Sequence, residues 1–493
     1  MLSTTTLTIA NQSSSRVLDV QSMLLHESRL LVIFKSKSKR LNSKSKERDI
    51  VLSKHDTFVN IYDISNLPDD GSELELFTTH FFQGTHYTAA RSVHNIAYIV
   101  TSSIINVQLK LNHPVWKRKP LYFNLSNTEY VPAAITHATK IVIPEFIDLM
   151  MTHLKSEEGT CNQIVKLSMF QSVDHTCTEE VLPVYTRQRI MDSLVTITTF
   201  NMTSRNNPET NLKNGSNELI LNVSRTSAFM PSYDDTLVYS TSDYLFVSGR
   251  GFQYTNTSWV DQTFIMAFAL NSGNNGVKVR GFGNFPGIIN NVWAFDVTEG
   301  HIRVASGSYF KHICKHSRIY NMNDSSNEKC VWTQVSHITN HMTILKIPSD
   351  VHFKNKRMSK TGYLGEIGEG ESIISARFME DKAFIVTFFG SGQFFTIDLS
   401  DYRNPKLVGR LTVPFSVTYL HPYDSSGNTL IAVGRNAKKS QIILLDTTVF
   451  AKPSVLSVYN MEDVSYSDHD HAAFRFLPES KKYVNLSIRH LHL

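Results

Sequence analysis

The sequence lacks the features that define several large protein classes. No run of about eighteen apolar residues occurs, which excludes a membrane-spanning helix. No Walker phosphate loop, dinucleotide fingerprint or nucleophile elbow is present, so the sequence shows no assembled catalytic set and implies no cofactor. Only 19% of the 493 residues are charged, and the net charge of +5 is too small for this length to indicate a specific nucleic-acid-binding protein.

The evidence for secretion comes from cysteines and sequons rather than from a leader. The first residues, MLSTTTLTIANQSSSR, have no basic segment followed by a continuous apolar stretch and so do not form a signal peptide. The four cysteines form two pairs of identical spacing, which predicts local disulfide bonds although three pairings are open. These disulfide candidates are Cys161, Cys177, Cys314 and Cys330.

Eight Asn-x-Ser/Thr sequons accompany the cysteines. The glycosylation candidates among them are Asn124, Asn201, Asn214, Asn256 and Asn323. Disulfides and sequons together predict an extracellular or secretory-lumen protein, and we then expect the chain to be incomplete at its N-terminus. The alternative is a cytosolic chain with four buried thiols.

Much of the positive charge lies in residues 35–48, KSKSKRLNSKSKER, where serine alternates with lysine. Such a run can bind nucleic acid, an acidic glycan or anionic lipid. A solvated loop between two strands is the interpretation we favour, because charge runs usually face water.

Residues 371–424 contain one complete unit of a repeating β-architecture, with four short strands in about fifty residues, the size of one propeller blade. Its first hairpin, a short inner strand that turns into an apolar strand, recurs six times. The paired segments are 22–25 with 30–34, 90–93 with 96–101, 236–240 with 244–249, 292–297 with 301–307, 419–423 with 429–434, and 473–477 with 482–488. The sequence predicts an all-β propeller of about seven or eight four-stranded blades, whose terminal blades need not be complete.

A second signature marks the end of the third strand. Asp63, Asp398 and Asp446 each end an apolar strand and precede a hydroxyl residue by two places. We predict that they form Asx turns rather than a metal site.

The predicted organisation is an N-terminal tail, 1–15, and a single propeller domain, 16–493. Loop insertions are predicted at 35–57, 102–235 and 309–340. Within the largest, residues 146–155 have apolar residues at helical spacing and predict a short amphipathic helix.

Residues 363–488 resemble a family of secreted β-propeller proteins, common in archaea and bacteria and distantly related to WD-type repeats. The matching motifs are SARFMED, DLSDYRNPK, TYLHPYD and SDHDHAAF. A second match covers residues 264–308, which contain PGIINNVWAFDVTEGHIRVAS, and weaker likeness extends back to Arg16. The resemblance implies the propeller fold and export, and it implies no reaction. Three departures are expected to matter: the family's first blade is absent, the chain stops at Leu493 where the family continues, and Ala472 and Asn291 replace the usual Lys and Gln.

Inner strands of a propeller line its axial channel, so their polar residues are the candidates for ligand binding at the channel mouth. These candidates are Arg91, Asn290, Asn291, Arg377, His421, Asp424, Asp470 and His471. Within this set His421, Asp470 and His471 are the candidate ligands of a divalent metal. The structural interpretation, which we favour, is that they hydrogen-bond neighbouring blades and fix their register.

Our leading hypothesis is a non-enzymatic extracellular scaffold that binds a protein or a glycan, with no specific nucleic-acid partner and an oligomeric state that the sequence leaves open. The alternative is a metal-dependent propeller enzyme, a hydrolase or lyase, with its site at the channel mouth.

Overall fold

The computed structural model describes residues 18–37, 48–51, 55–65, 74–82, 85–104, 106–109, 161–167, 178–182, 193–203, 223–230, 236–254, 258–270, 276–318, 328–349, 356–389, 391–435, 440–461, 474–477 and 482–485. Across these residues the elements are β-strands, apart from one 3₁₀ turn at Val292–Ala294. The strands are β1 Leu18–His26, β2 Arg29–Lys37, β3 Arg48–Val51, β4 His55–Asp63, β5 Glu75–Phe82, β6 His86–Val93, β7 Ile96–Ile104, β8 Asn106–Leu109, β9 Cys161–Leu167, β10 Thr178–Leu182, β11 Ser193–Asn201, β12 Val223–Met230, β13 Thr236–Ser240, β14 Tyr244–Tyr254, β15 Ser258–Ala269, β16 Lys278–Pro286, β17 Phe295–Thr298, β18 His301–Arg318, β19 Glu328–Lys346, β20 Ser359–Leu364, β21 Ser372–Met379, β22 Lys382–Phe389, β23 Ser391–Asp398, β24 Lys406–Val413, β25 Ser416–Pro422, β26 Thr429–Arg435, β27 Ser440–Asp446, β28 Ser454–Asn460, β29 Phe474–Leu477 and β30 Lys482–Asn485.

The chain forms two compact units. The first comprises residues 1–249 and 266–280, and the second comprises residues 250–265 and 281–493. In the first unit, strands pair in the orders β1-β2-β4-β5 and β10-β9-β12-β11-β7-β6, and β3 pairs with β8. In the second unit, β17 to β20 pair in chain order, as do β21 to β24 and β25 to β28, and β29 pairs with β30.

One backbone hydrogen bond recurs in six places and defines the repeat. The N–H of the residue just after a third strand donates to a carbonyl in the turn of the first hairpin of the same repeat. The pairs are Ile64 to Ser28, Met202 to Asn95 and Leu270 to Asp243 in the first unit, and Ile347 to Gly300, Leu399 to Asp381 and Thr447 to Asn428 in the second, all at 2.7 or 2.8 Å. With the hairpin β29–β30, these repeats confirm the predicted all-β architecture of successive four-stranded blades.

The aspartates at the ends of third strands form the predicted Asx turns. Asp63 Oδ1 accepts the N–H of Ser65 at 2.8 Å, and Asp398 Oδ1 accepts that of Ser400 at 2.9 Å. Asp446 Oδ1 accepts from the backbone N–H of Thr448 at 2.8 Å. The bond from Ser400 lowers the pKa of Asp398, because it stabilises the carboxylate.

Alternating apolar residues pack neighbouring sheets face to face within each unit. In the first unit Ile33, Ile61, Ile99 and Phe200 belong to one core between two successive sheets. In the second unit one core joins β18–β19 to β21–β23, and another joins β22–β23 to β25–β27. The successive sheets therefore stack through largely apolar faces, which also contain buried hydroxyl side chains such as Thr387 and Thr396.

The prediction of a strand over 292–297 is wrong for its first three residues. Asn291 has an extended backbone, and its Oδ1 accepts the N–H groups of Trp293 at 3.0 Å and Ala294 at 3.2 Å. This N-cap favours a single helical turn, Val292–Ala294, before strand β17 begins at Phe295.

Other sequence predictions meet the structure only in part. Strands β3, β8 to β12, and parts of β18 and β19 lie within the predicted insertions, whereas the helix predicted at 146–155 lies outside the described residues. In the β18–β19 ribbon, Cys314 pairs with Trp332 and Cys330 with His316, so the two cysteines are offset by one diagonal step. Cys161 begins β9, and Cys177 lies outside the described residues, so both disulfides stay predictions.

Among the glycosylation candidates, the structure describes the side chain of Asn201 alone. Its Oδ1 accepts the backbone N–H of Thr203 at 3.0 Å and also accepts from Asn95 Nδ2 at 3.2 Å. The other four, Asn124, Asn214, Asn256 and Asn323, lie outside the described residues.

Candidate functional site

Three inner elements of the second unit lie side by side. They are the 3₁₀ turn Val292–Ala294, strand β21 and strand β25. The turn leads directly into strand β17, and β21 and β25 are the first strands of the next two sheets. Each contributes large polar or aromatic side chains at its inner edge. We call the four side chains Trp293, Arg377, Tyr419 and His421 the inner row.

Asparagines hold the first member of the inner row in place. Besides the N-cap made by Asn291, Asn290 Nδ2 donates to the carbonyl of Ile373 on β21. The hydroxyl of Tyr309 donates to Asn290 Oδ1 at 2.8 Å. The two asparagines predicted as ligand-binding residues thus fix the turn that carries Trp293 against β21.

The inner row is a continuous series of ring and cation contacts. The Cζ atom of Arg377 lies 4.4 Å from the centroid of the Trp293 ring, a cation–π distance. The Trp293 ring meets Tyr419 edge-on, with centroids 6.0 Å apart. Tyr419 in turn contacts His421: their ring centroids are 5.9 Å apart, and the Tyr419 hydroxyl lies 3.0 Å from His421 Nδ1.

Burial and Arg377 set the protonation of the inner row. Burial lowers the pKa of His421 to about 4, and the positive charge of Arg377 acts in the same direction. Burial raises the pKa of Tyr419, although Arg377 opposes that shift. At neutral pH the imidazole is therefore uncharged and the phenol is protonated. The Tyr419 hydroxyl and His421 Nδ1 share one hydrogen bond, and its donor depends on which imidazole nitrogen carries the proton.

The inner row can bind a ligand in three ways. The half-buried Trp293 ring can pack against an apolar or ring-shaped group, the guanidinium of Arg377 can attract an oxygen acceptor, and the neutral imidazole of His421 can take part in a hydrogen bond. Trp293, Arg377 and His421 are half-buried, and Tyr419 is buried. This combination suits recognition through stacking and a few directed hydrogen bonds.

The other predicted site residues belong to other elements or lie outside the described residues. Arg91 lies on β6 in the first unit, where it is exposed and its Nη1 donates to the carbonyl of Ala90 at 2.8 Å. Asp424 lies in the β25–β26 turn, where its Oδ1 accepts from Ser426 Oγ at 2.6 Å. Burial alone would raise the pKa of Asp424, but the hydrogen bonds it accepts outweigh burial and lower it. Asp470 and His471 lie outside the described residues.

A metal site finds no support in the described part of the chain. There, no group of three or more His, Cys, Asp or Glu side chains is placed to hold a metal ion. Two of the three predicted ligands, Asp470 and His471, are not among the residues searched. The remaining one, His421, directs its Nδ1 at the Tyr419 hydroxyl.

No helix of the described residues is long and apolar enough to cross a membrane.

Trp293 and Tyr419 are not among the site residues predicted from the sequence. Trp293 lies in a segment predicted as strand, so the 3₁₀ turn that aims it at β21 and β25 was not expected. The available signal was the pair Asn290 and Asn291, because Asn directly before an apolar segment is a typical N-cap.

Fold and site together define an all-β propeller protein that carries a polar and aromatic row on its inner strands. The chain belongs to the β-propeller domain family, whose model matches residues 2–490. This agrees with the family resemblance drawn from the sequence motifs.

The relatives carry no functional information. The chain is 26% identical over 204 residues to an uncharacterized protein of Archaeoglobus fulgidus, covering 41% of this chain and 26% of that protein. It is 32% identical over 117 residues to an uncharacterized protein of Methanocaldococcus jannaschii, covering 24% of this chain and 18% of that protein. The chain thus spans about a quarter or less of the length of these relatives.

Solved structures show only distant similarity. A Bacteroides fragilis protein provisionally named a 6-phosphogluconolactonase has 9% identity and a TM-score of 0.27, over 59% of this chain and 83% of that protein. A likeness at this level does not bear on what this chain binds.

Proposed function

We propose that the chain is an extracellular binding scaffold and that the inner row holds its ligand, a protein or a glycan. The observation that carries the proposal is the series Arg377, Trp293, Tyr419 and His421 on three successive inner elements. Aromatic faces next to an arginine are the composition of binding hot spots, since they supply contact area and directed hydrogen bonds together.

The protonation of the row also supports binding rather than proton transfer at neutral pH. A general base works best with a pKa near the working pH, whereas burial and Arg377 hold the pKa of His421 at about 4. The imidazole is then a fixed hydrogen-bonding group beside the Tyr419 phenol. The metal-dependent alternative stays a prediction, because Asp470 and His471 lie outside the described residues.

The test is binding to an array of immobilised neutral and acidic oligosaccharides, run beside capture of proteins on the immobilised chain. Arg377→Met keeps the length of the side chain and removes its charge. We expect Arg377→Met to abolish binding of any oligosaccharide or protein that the wild-type chain binds in these two assays.

The matched control is Arg410→Met. Arg410 lies on β24, where its Cζ is 5.6 Å from the Phe395 ring centroid, so this substitution removes an arginine–aromatic contact outside the inner row. A second matched pair is Tyr419→Phe and Tyr363→Phe, since the Tyr363 hydroxyl also lies near a histidine Nδ1, that of His341, at 2.7 Å. An interaction lost equally in the variants and in their controls would contradict the proposed site.

A further inference from the structure

Basic side chains meet between the first two sheets of the first unit. The rings of His55 on β4 and His86 on β6 have centroids 6.2 Å apart. Burial lowers the pKa of His86, and the positive charges of Lys35 on β2 and of His55 act in the same direction. All three side chains are half-buried. Three strands from two sheets thus bring basic groups to one place.

Strand pairing explains why these groups meet. Lys35 lies opposite Thr57, so both side chains lie on one face of the first sheet. His55 is two residues before Thr57 and therefore lies on the same face of β4. The Thr57 hydroxyl donates at 3.3 Å to the carbonyl of Thr85, the residue directly before His86. This bond ties the start of β6 to the face that carries the other two bases.

A second basic pair lies further along the same layer. Arg225 on β12 is buried, and its Cζ lies 5.1 Å from the centroid of the Phe82 ring on β5. The ring of His80, two residues before Phe82, lies 5.0 Å from that of Phe200 on β11. Burial lowers the pKa of His80 to about 4, and the positive charge of Arg225 acts in the same direction. Basic groups therefore continue from the end of the layer into its interior.

Acidic residues in these strands lie elsewhere. Across β2, β4 to β7, β11 and β12 they are Asp56, Asp63 and Glu75. Asp63 and Glu75 are paired with each other at the opposite end of β4 and β5. Asp56 follows His55 directly, so it alternates onto the other face of β4. The face that carries the bases therefore has an excess of positive charge, which favours an anionic partner.

We infer that Lys35, His55 and His86 form a binding site for an oxyanion, a sulfate or phosphate group that is either free or carried by a larger ligand. One ammonium and two imidazoles offer N–H donors from three strands, and a tetrahedral oxyanion presents several acceptor oxygens to them. A spacing of 6.2 Å between ring centroids is one at which nitrogens of both imidazoles can bond oxygens of the same group.

The pH dependence of this site has a defined sign. Without the anion, burial, Lys35 and His55 hold the pKa of His86 below 6.5. A bound oxyanion stabilises the imidazolium and raises that pKa, so binding takes up a proton. The affinity should therefore increase as the pH falls, by at most about tenfold per pH unit for this one proton.

Calorimetric titration of the full chain with sodium sulfate tests the site, because sulfate stays a dianion at the pH values used. At constant ionic strength, we expect binding about tenfold tighter at about pH 5.5 than at about pH 7.5. His86→Gln should weaken binding and remove most of this pH dependence. Lys35→Met should weaken binding about threefold or more at both pH values and leave a pH dependence.

The matched controls are His301→Gln and Lys360→Met, at a half-buried histidine on β18 and an exposed lysine on β20, and both should bind sulfate as wild type does. A sulfated disaccharide and its unsulfated counterpart, titrated in the same way, identify the source of the group. Equal affinity for free sulfate and the sulfated disaccharide supports a site for the free ion, and binding of the sulfated disaccharide about tenfold tighter or more supports a glycan.

Three results would overturn the inference. The first is no sulfate binding at either pH. The second is binding that survives both Lys35→Met and His86→Gln, or a wild-type pH dependence in His86→Gln. The third is binding lost in Arg377→Met but kept in the other two variants, because the anion would then bind at the inner row.

Discussion

The ion pair between Arg303 and Asp296 connects two paired strands of one sheet, β18 and β17, and Arg303 also bonds the neighbouring sheet of the second unit. Arg303 Nε donates to Asp296 Oδ2 at 2.8 Å, and its Nη1 donates to the carbonyl of Glu380, in the turn between β21 and β22. The guanidinium also lies 5.4 Å from the Phe378 ring centroid. Only 2% of the Arg303 side chain is exposed, against 25% of the Asp296 side chain.

This difference in exposure predicts unequal effects of two substitutions. Asp296→Ala leaves a guanidinium buried without its counter-ion, and should lower the free energy of unfolding by about 3 to 5 kcal/mol. Arg303→Met leaves a carboxylate that water can reach, together with one carbonyl without its donor, and should cost about 2 kcal/mol. Since the second change removes the buried charge, the double variant should be no less stable than Asp296→Ala alone.

Urea unfolding followed by intrinsic fluorescence measures all three variants against wild type. The result that would refute the reasoning is an Arg303→Met variant less stable than Asp296→Ala, or a double variant whose loss is the sum of the two single losses. Either outcome would mean that the desolvated arginine is not what makes the pair costly to break.

Four further predictions follow from the second unit and the cysteines. Gly409 in β24 and Ser457 in β28 occupy equivalent positions after a bulge. Gly409→Ala should lower the free energy of unfolding by about 1 to 3 kcal/mol, because its Cβ would clash with the Phe450 carbonyl. Ser457→Ala, at an exposed residue, should change the free energy of unfolding little, and urea midpoints measure both variants. The pKa of His421 is lowered from 6.5 to about 4, so the folded state resists protonation of this imidazole. The contribution of His421 to the free energy of unfolding is therefore complete above pH 6.5 and falls as the pH drops to about 4. His421→Gln should reduce this loss of stability at acidic pH, which unfolding measured across this pH range can show. Elemental analysis of purified protein should find no stoichiometric metal; a metal lost in both His421→Ala and His471→Ala would instead support the enzyme alternative. Peptide mass mapping without reductant should recover Cys161 linked to Cys177 and Cys314 linked to Cys330, and four free thiols would argue against a secreted protein.

Much of the fold could be predicted because strand periodicity and turn chemistry are local. The hairpin signature found the inner strands of successive repeats, and Asp followed two places later by a hydroxyl residue found the Asx turns of Asp63, Asp398 and Asp446. Within the described residues, the strand predicted at Val292–Ala294 is wrong because Asn291 caps a 3₁₀ turn there.

The candidate site could be predicted only in part. Arg377 and His421 were expected on inner strands, but their neighbours Trp293 and Tyr419 were not expected to reach them. Nothing local in the sequence states that residues more than eighty positions apart, such as Trp293 and Arg377, lie in cation–π contact. That contact exists because successive sheets stack with their first strands adjacent, which is a property of packing.

The sequence by itself determined the inner hairpins, the Asx turns and the repeat, because each depends on the alternation of a few consecutive residues and on the hydrogen bonds of short polar side chains. Only the tertiary structure decided which polar residues became a candidate site and which became structural. Asn290 and Asn291 hold a turn, Asp424 closes a hairpin, and Arg377 and His421 pack against Trp293 and Tyr419, respectively. The reason is that a side chain's protonation and partners depend on burial and on charges from other repeats, which no local pattern specifies.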